Sequence, residues 1–134
     1  MKRATSDSWN DLEFFTEKGT WKRKPRITIT NNDTISFNSA FSYRARLKGK
    51  THVRLAYSPK RRQIIFDFTE DPKAPGAFTL VHKGSNSFSV ACRSFFYAHD
   101  FDKEEIAGRY EPHRERIPKI GECWLIRLGE RVIM

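Results

Sequence analysis

Arg44, Arg46, Lys48, Lys50, Arg54, Lys60, Arg61 and Arg62 are eight cations in nineteen residues that hold no acid. Just upstream, Lys22, Arg23, Lys24 and Arg26 crowd around Pro25, with Trp21 beside them. Side chains of this type at this density attract polyanions, and each phosphate they neutralise releases counterions, so affinity falls with salt. Trp21 and Tyr43 interleave with the cations and are candidates for stacking on unpaired bases. Tyr57 also lies in the stretch, but its register points it inward. Contacts to the phosphate backbone are therefore better supported than readout of base edges.

The charge is not spread evenly. The chain of 134 residues carries a formal net charge of +9. Residues 21–66 hold twelve basic side chains and one acid, Asp33. Residues 1–20 and 67–134 each balance to −1. Ordinary solvated surfaces intersperse both signs, whereas this segment nearly excludes one.

Residues with catalytic potential are scattered. His52, His82, His99 and His113 form no HxxxH or HExxH pair. Cys92 with His99 or His113 would make a nucleophile and base only if the fold joined them. Arg93 would then help the thiolate, although a small buried thiol is the plainer expectation. The acids Asp100, Asp102, Glu104 and Glu105 have the oxygen chemistry of hard-metal ligation without the glycine or spacing of an EF-hand loop. Acids at a helix start account for them more simply. No glycine-rich phosphate loop or GxSxG occurs, and no cofactor or metal is implied. A metal-dependent nuclease built from dispersed acids remains the enzymatic alternative.

The elements that would position these groups are short. Cap candidates Ser6, Asp7 and Ser8, the stripe Trp9, Leu12 and Phe14 or Phe15, and a closing Gly19 predict an N-terminal helix. A basic arm follows to residue 25. Alternating, β-branched Ile27-Thr28-Ile29-Thr30 predicts a strand, Asn31-Asn32-Asp33 a turn, and Thr34 to Phe37 the returning strand, with Ile35 and Phe37 on one face. Asn38 or Ser39 caps a short helix through Leu47, stopped by Gly49. His52 to Tyr57 and Gln63 to Phe68 make a second hairpin. Val53, Leu55 and Tyr57 point inward and Arg54 outward.

A linker, residues 69–76, precedes a restart of the pattern: strand 77–82, strand 87–90 and a helix from Ala91 to Ala98. Residues 99–119 read as an insertion with a helical turn near Asp102 to Gly108. Cys123 to Leu128 and Arg131 to Met134 read as a closing hairpin around Gly129-Glu130. Shifting the chain by 51 lays Ile27–Thr30 on Phe78–Val81 and Ser36–Ala40 on Ser87–Ala91. A shift of 73 lays Val53-Arg54-Leu55 on Ile126-Arg127-Leu128. Such self-similarity predicts a duplicated unit: a first repeat over 26–68 and a second over 77–134.

The first unit, Asp33-Thr34-Ile35-Ser36-Phe37-Asn38 through Leu47, Gly49 and Val53-Arg54-Leu55, resembles the AbrB/MazE-like swapped-hairpin proteins, bacterial DNA-binding regulators and antitoxins. About a third of the chain is covered. Asn38 stands where that family usually has proline, Ser42 where it has arginine, and Gly49-Lys50 where it has a glycine-aspartate turn. Arg44 and Arg46 lie near the missing arginine. The resemblance implies two interleaved halves in one polypeptide, a pseudo-dimer, with nucleic acid bound on one face of a small barrel.

The expected fold is one domain, mainly β within the α+β class: a small barrel of two ββαββ repeats with an N-terminal helix. Two cysteines without CxxC spacing predict reduced, packed thiols. No apolar run of signal-peptide or membrane-span length occurs, which predicts a cytoplasmic chain without a membrane partner. The expected function is non-catalytic nucleic-acid binding, DNA ahead of RNA, of a regulatory kind, by a monomer or homodimer. A single-strand or RNA module is the nearest alternative. A protein-interaction module or inhibitor for an acidic partner is the other.

Overall fold

A computed structural model describes residues 11–12, 24–84 and 86–133. The predicted N-terminal helix, apart from Asp11 and Leu12, lies outside the described residues. The elements, in order, are β1 (Ile27–Ile29), β2 (Thr34–Phe37), α1 (Ser39–Arg44), β3 (His52–Ser58), β4 (Gln63–Thr69), β5 (Phe78–Lys83), β6 (Ser87–Ala91), α2 (Arg93–Ala98), α3 (Lys103–Ile106), β7 (Gly108–Tyr110), β8 (His113–Ile117) and β9 (Gly121–Arg127). The fold is mainly β, as its alternating segments demand.

Every described strand pairing is antiparallel, in the order β7-β1-β2-β6-β5-β3-β4-β9-β8. Nine strands laid flat would span roughly 38 Å at about 4.8 Å per step. Yet the two outermost strands, β7 and β8, are separated only by Glu111 and Pro112. Three Cα steps reach at most about 11 Å. The sheet must therefore curl until its two edges nearly meet.

The curl encloses an aromatic core. Phe37 is fully buried, with ring centroids 5.7, 5.6 and 5.3 Å from Phe41, Phe66 and Phe68. Trp124 closes edge-on against Phe41 at 5.1 Å. Ile27, Ile29, Ile35, Val53, Ile64 and Ile126 fill the same interior, as period-2 alternation requires. On β4 the pattern breaks, since Ile64, Ile65 and Phe66 are all buried. Ile65 joins Cys123 and Leu125 in a second small cluster on the opposite face. That strand is covered on both sides there, which explains its unbroken apolar run.

The helix ends are set by backbone chemistry. Asn38 caps α1 by accepting from the Phe41 N–H at 2.9 Å. The helix ends at Arg44, three residues short of the expected Leu47. Arg46 takes the left-handed conformation (φ 57°), and the Leu47 N–H turns back to the Ser42 carbonyl. Leu47 is thereby buried rather than helical. The second helix starts at Arg93 rather than Ala91, because Ala91 is still paired to Thr34 in the sheet.

The two halves share local geometry. Ile27 stands opposite Phe37 in the first hairpin and Leu80 opposite Val90 in the second, so the hairpins correspond at an offset of 53. The helices correspond at 54. Ser42 N–H to Asn38 O, Arg46 N–H to Tyr43 O and Leu47 N–H to Ser42 O recur as Phe96 to Cys92, Asp100 to Tyr97 and Phe101 to Phe96. Asp100 repeats the left-handed conformation of Arg46. An offset of 51 differs from 53 by a full strand period, so it preserves which residues face inward and looks the same to hydrophobic pattern.

The closing hairpin differs from expectation. β9 pairs with β4 and β8, and of the described residues in the expected last strand Arg131 forms an isolated bridge to Tyr110. Residues 99–119 contain the expected helical turn as α3, together with two partnered strands, β7 and β8. The match of Val53–Leu55 to Ile126–Leu128 carries no equivalence either: β3 borders β4 and β5, while β9 lies between β4 and β8. Charged β8 (HRERI) hides its strand character because it is mostly exposed.

Candidate nucleic-acid interface

The curled sheet distributes the cations instead of gathering all of them. Trp21, Lys22 and Arg23 lie outside the described residues. Lys24 and Arg26 are tied to the start of α1 by one side chain. Asn38 accepts from the Arg26 N–H at 3.0 Å and donates to the Lys24 carbonyl at 2.9 Å. Lys24 and Arg26 are thereby registered on the helix whose far end leads to Arg44, Arg46, Lys48 and Lys50.

Arg54 points outward as expected but is not available. Its Nε and Nη2 meet Oδ2 of its cross-strand neighbour Asp67 at 2.9 and 2.6 Å. Arg62 is engaged by Glu105, Nη2 to Oε1 2.9 Å. Lys60 and Arg61 are exposed at the β3–β4 tip. Seven residues of β3 separate that tip from the α1–β3 connection, roughly 23 Å at strand rise. The eight cations of the sequence therefore form two groups at opposite ends of a strand, with a neutralised pair between them.

The group at the end of α1 is the better site. Arg44, Arg46 and Lys48 are exposed, and with half-buried Lys50 they meet no carboxylate among the described residues. Tyr43, 86 % exposed, stands among them. Behind them lies a pocket of about 380 Å³ lined by Ser42, Tyr43, Arg46, Lys48, Asn86 and Phe88. The end of α1 supplies no attraction for anions of its own, because a helix C-terminus is the negative pole. The side chains must supply it. Tyr57 is core-directed, packing edge-on against Phe101 and His99.

At the other end, Arg61 shares a groove of about 290 Å³ with Arg116 and Arg127. Sequence reasoning passed over those two arginines because acids dilute the second half to a balance of −1. Glu115 also lines this groove, and Arg127 leans on His113 Nε2 at 3.2 Å. It is a weaker field than the one at α1.

The catalytic candidates are kept apart or chemically quiet. Cys92 and His99 sit at opposite ends of α2. The Cys92 thiol is pushed up to about 12, first by burial and then by the neighbouring Asp33 charge. Arg93 does not activate it, since Arg93 Nε donates to Asp33 Oδ2 at 3.1 Å. Asp102 caps α3 and Glu105 holds Arg62, so two of the four clustered acids have structural partners. Among the described residues no group of three His, Cys, Asp or Glu side chains could hold a metal ion. No helix among them is long and apolar enough to cross a membrane.

The geometry defines a mainly β, curled-sheet protein with a basic site at one helix end that no carboxylate among the described residues opposes. Comparison with family models, with curated proteins and with solved structures returned no match.

Proposed function

We propose that the protein binds nucleic acid without catalysis, through phosphate contacts from Arg44, Arg46, Lys48 and Lys50, with Lys24 and Arg26 extending the site. One observation carries the reading. Four cations within seven residues are fixed by a capped helix and a left-handed turn, and no carboxylate among the described residues opposes them, while Asp67 and Glu105 neutralise Arg54 and Arg62. The resemblance of residues 33–55 to swapped-hairpin regulators supports DNA ahead of RNA and a regulatory role. Lys60 and Arg61 are not part of this site.

Fluorescence anisotropy with labelled duplex DNA, single-stranded DNA and RNA at 50 and 200 mM salt tests the proposal. Four phosphate contacts predict that duplex affinity falls about a hundredfold across that range. Arg46→Ala with Lys48→Ala should lower the salt slope by about 2. Binding that is absent at 50 mM salt, or indifferent to salt and to the double substitution, would reject it. Capture of an acidic protein by the same face, with no nucleic acid bound, would favour the interaction-module reading instead.

A further inference from the structure

The pocket behind Arg46 and Lys48 has a counterpart in the other half, and the difference between the two points to a ligand. At the helix offset of 54, Ser42, Tyr43 and Arg46 correspond to Phe96, Tyr97 and Asp100. At the hairpin offset of 53, Asn86 corresponds to Asp33. Asn86 and Asp33 share the left-handed backbone (φ 68° and 59°). The counterpart pocket is lined by Asp33, Phe96, Tyr97, Asp100 and Lys103, among others, and measures only about 90 Å³ against about 380 Å³.

The small pocket is closed by its own side chains. Phe96 fills it, and Lys103 Nζ lies 2.7 Å from Asp33 Oδ1. Its buried carboxylate, Asp33, is matched by Lys103 and Arg93. In the large pocket Ser42 stands where the other half has Phe96, Asn86 replaces the Asp33 carboxylate, Arg46 replaces Asp100, and Lys48 adds a second cation to the lining. Two carboxylates of the small pocket are thus an amide and a guanidinium in the large one, which is open and carries cations without an acid in its lining. Tyr43 adds an exposed aromatic wall, and buried Phe88 sits beneath, stacked on His82 at 4.7 Å. About 380 Å³ lies within the range of small-ligand sites.

We infer that this pocket takes a single unpaired nucleotide, its phosphate on Arg46 and Lys48 and its base against Tyr43. The ligand chemistry is a nucleoside monophosphate, whether free or as the unpaired end of a strand. Asn86 offers an amide where a carboxylate would repel the phosphate, and Ser42 keeps the volume open. A duplex phosphate could use the rim cations, but only an unstacked nucleotide uses the cavity. The inference rests on the nucleic-acid reading for its location, since both use Arg46 and Lys48.

Isothermal titration of the full chain with adenosine monophosphate, adenosine and inorganic phosphate tests it. The monophosphate should bind at least tenfold more tightly than either fragment. Ser42→Phe, which copies the filled pocket, and Asn86→Asp, which copies its carboxylate, should each weaken it at least tenfold, with Lys73→Ala as the unaffected control. Asn86→Asp alters an exposed turn residue whose left-handed conformation aspartate accepts, so it serves even where Ser42→Phe misfolds. A monophosphate no tighter than inorganic phosphate, or wild-type affinity in Asn86→Asp, would overturn the inference. Preference for a 5′-phosphorylated over a 5′-hydroxyl octanucleotide would identify a strand end as the source. Equal affinity for the two, with the monophosphate still bound, would identify the free nucleotide. Salt-sensitive duplex binding without monophosphate binding removes the pocket and leaves the proposed function. The reverse removes the proposed function and leaves the pocket.

Discussion

Asp33 and Lys103 meet across the molecule, Oδ1 to Nζ 2.7 Å, although Asp33 lies in the β1–β2 turn and Lys103 opens α3. Arg93 holds the second carboxylate oxygen, and the Asp33 carbonyl accepts from the Cys92 N–H at 2.9 Å. One turn residue thus fastens α2 and α3 to the first hairpin. The Lys103 contact leads in holding the carboxyl below its ordinary value of 3.8, with Arg93 adding to it against the cost of burial.

Asp33→Asn keeps the left-handed turn but loses both ion pairs, so thermal unfolding at neutral pH should fall below that of the parent. A carboxyl with a depressed value stabilises the fold above its unfolded value, and the contribution fades as the pH drops through the folded one. The difference between the two proteins should therefore be full at pH 7 and vanish on acidification below 3.8. A gap that persists unchanged at pH 2 would refute the electrostatic origin.

Both cysteines should resist alkylation in the folded protein. Burial raises Cys92 to about 12 and raises Cys123 as well, with Asp67 and Glu115 adding to the latter. At pH 8 the reactive thiolate is therefore scarce, and neither sulfur is accessible. Mass spectrometry after iodoacetamide treatment should show no label until denaturant is added. Labelling of Cys92 under native conditions at the rate of an exposed thiol would contradict its placement.

Phe37→Ala should cost about 3–5 kcal/mol in urea unfolding, the range for an aromatic removed from a full core. Phe37 is in ring contact with Phe41, Phe66 and Phe68, so the cavity would open where α1, β2 and β4 converge. Phe78→Ala, on a half-buried ring at the start of β5, should cost less.

Gly108 has φ 144°, and a Cβ placed there would lie 2.6 Å from Arg131 Cδ. Gly108→Ala should destabilise by about 1–3 kcal/mol. It should also loosen the bond from Arg131 Nη1 to the Ala107 carbonyl, 2.9 Å in the parent. Faster amide exchange in β7 would report that release. Unchanged stability and exchange would show that the tail accommodates the methyl group.

Arg54→Ala should leave nucleic-acid affinity within about twofold, because Asp67 already occupies that guanidinium. Its stability cost should be about 0.5 kcal/mol, as for other partly exposed pairs. Arg46→Ala should do the opposite, weakening binding with little change in stability. A large binding loss from Arg54→Ala would mean that the pair opens when ligand arrives.

Local pattern already announced most of the first half. Ile27, Ile29, Ile35 and Phe37 alternate, Asn38 has the side chain of a cap, and Val53 faces inward from β3, all as the structure has them. These features depend on neighbours a few residues away, so periodicity and capping chemistry suffice. β8 was illegible because charge covers the faces of an exposed strand, and the turn at Arg46 because left-handed arginine carries no composition cue.

By itself, the sequence determined the mainly β character, the first two hairpins and the concentration of positive charge in residues 21–66. The tertiary structure alone decided which of those charges remain unopposed. Ion pairing depends on which carboxylates the curled sheet brings within about 4 Å, and Glu105 reaches Arg62 across 43 positions of chain. The same curl left one helix-end pocket open and closed its counterpart, a difference set by packing between segments distant in sequence.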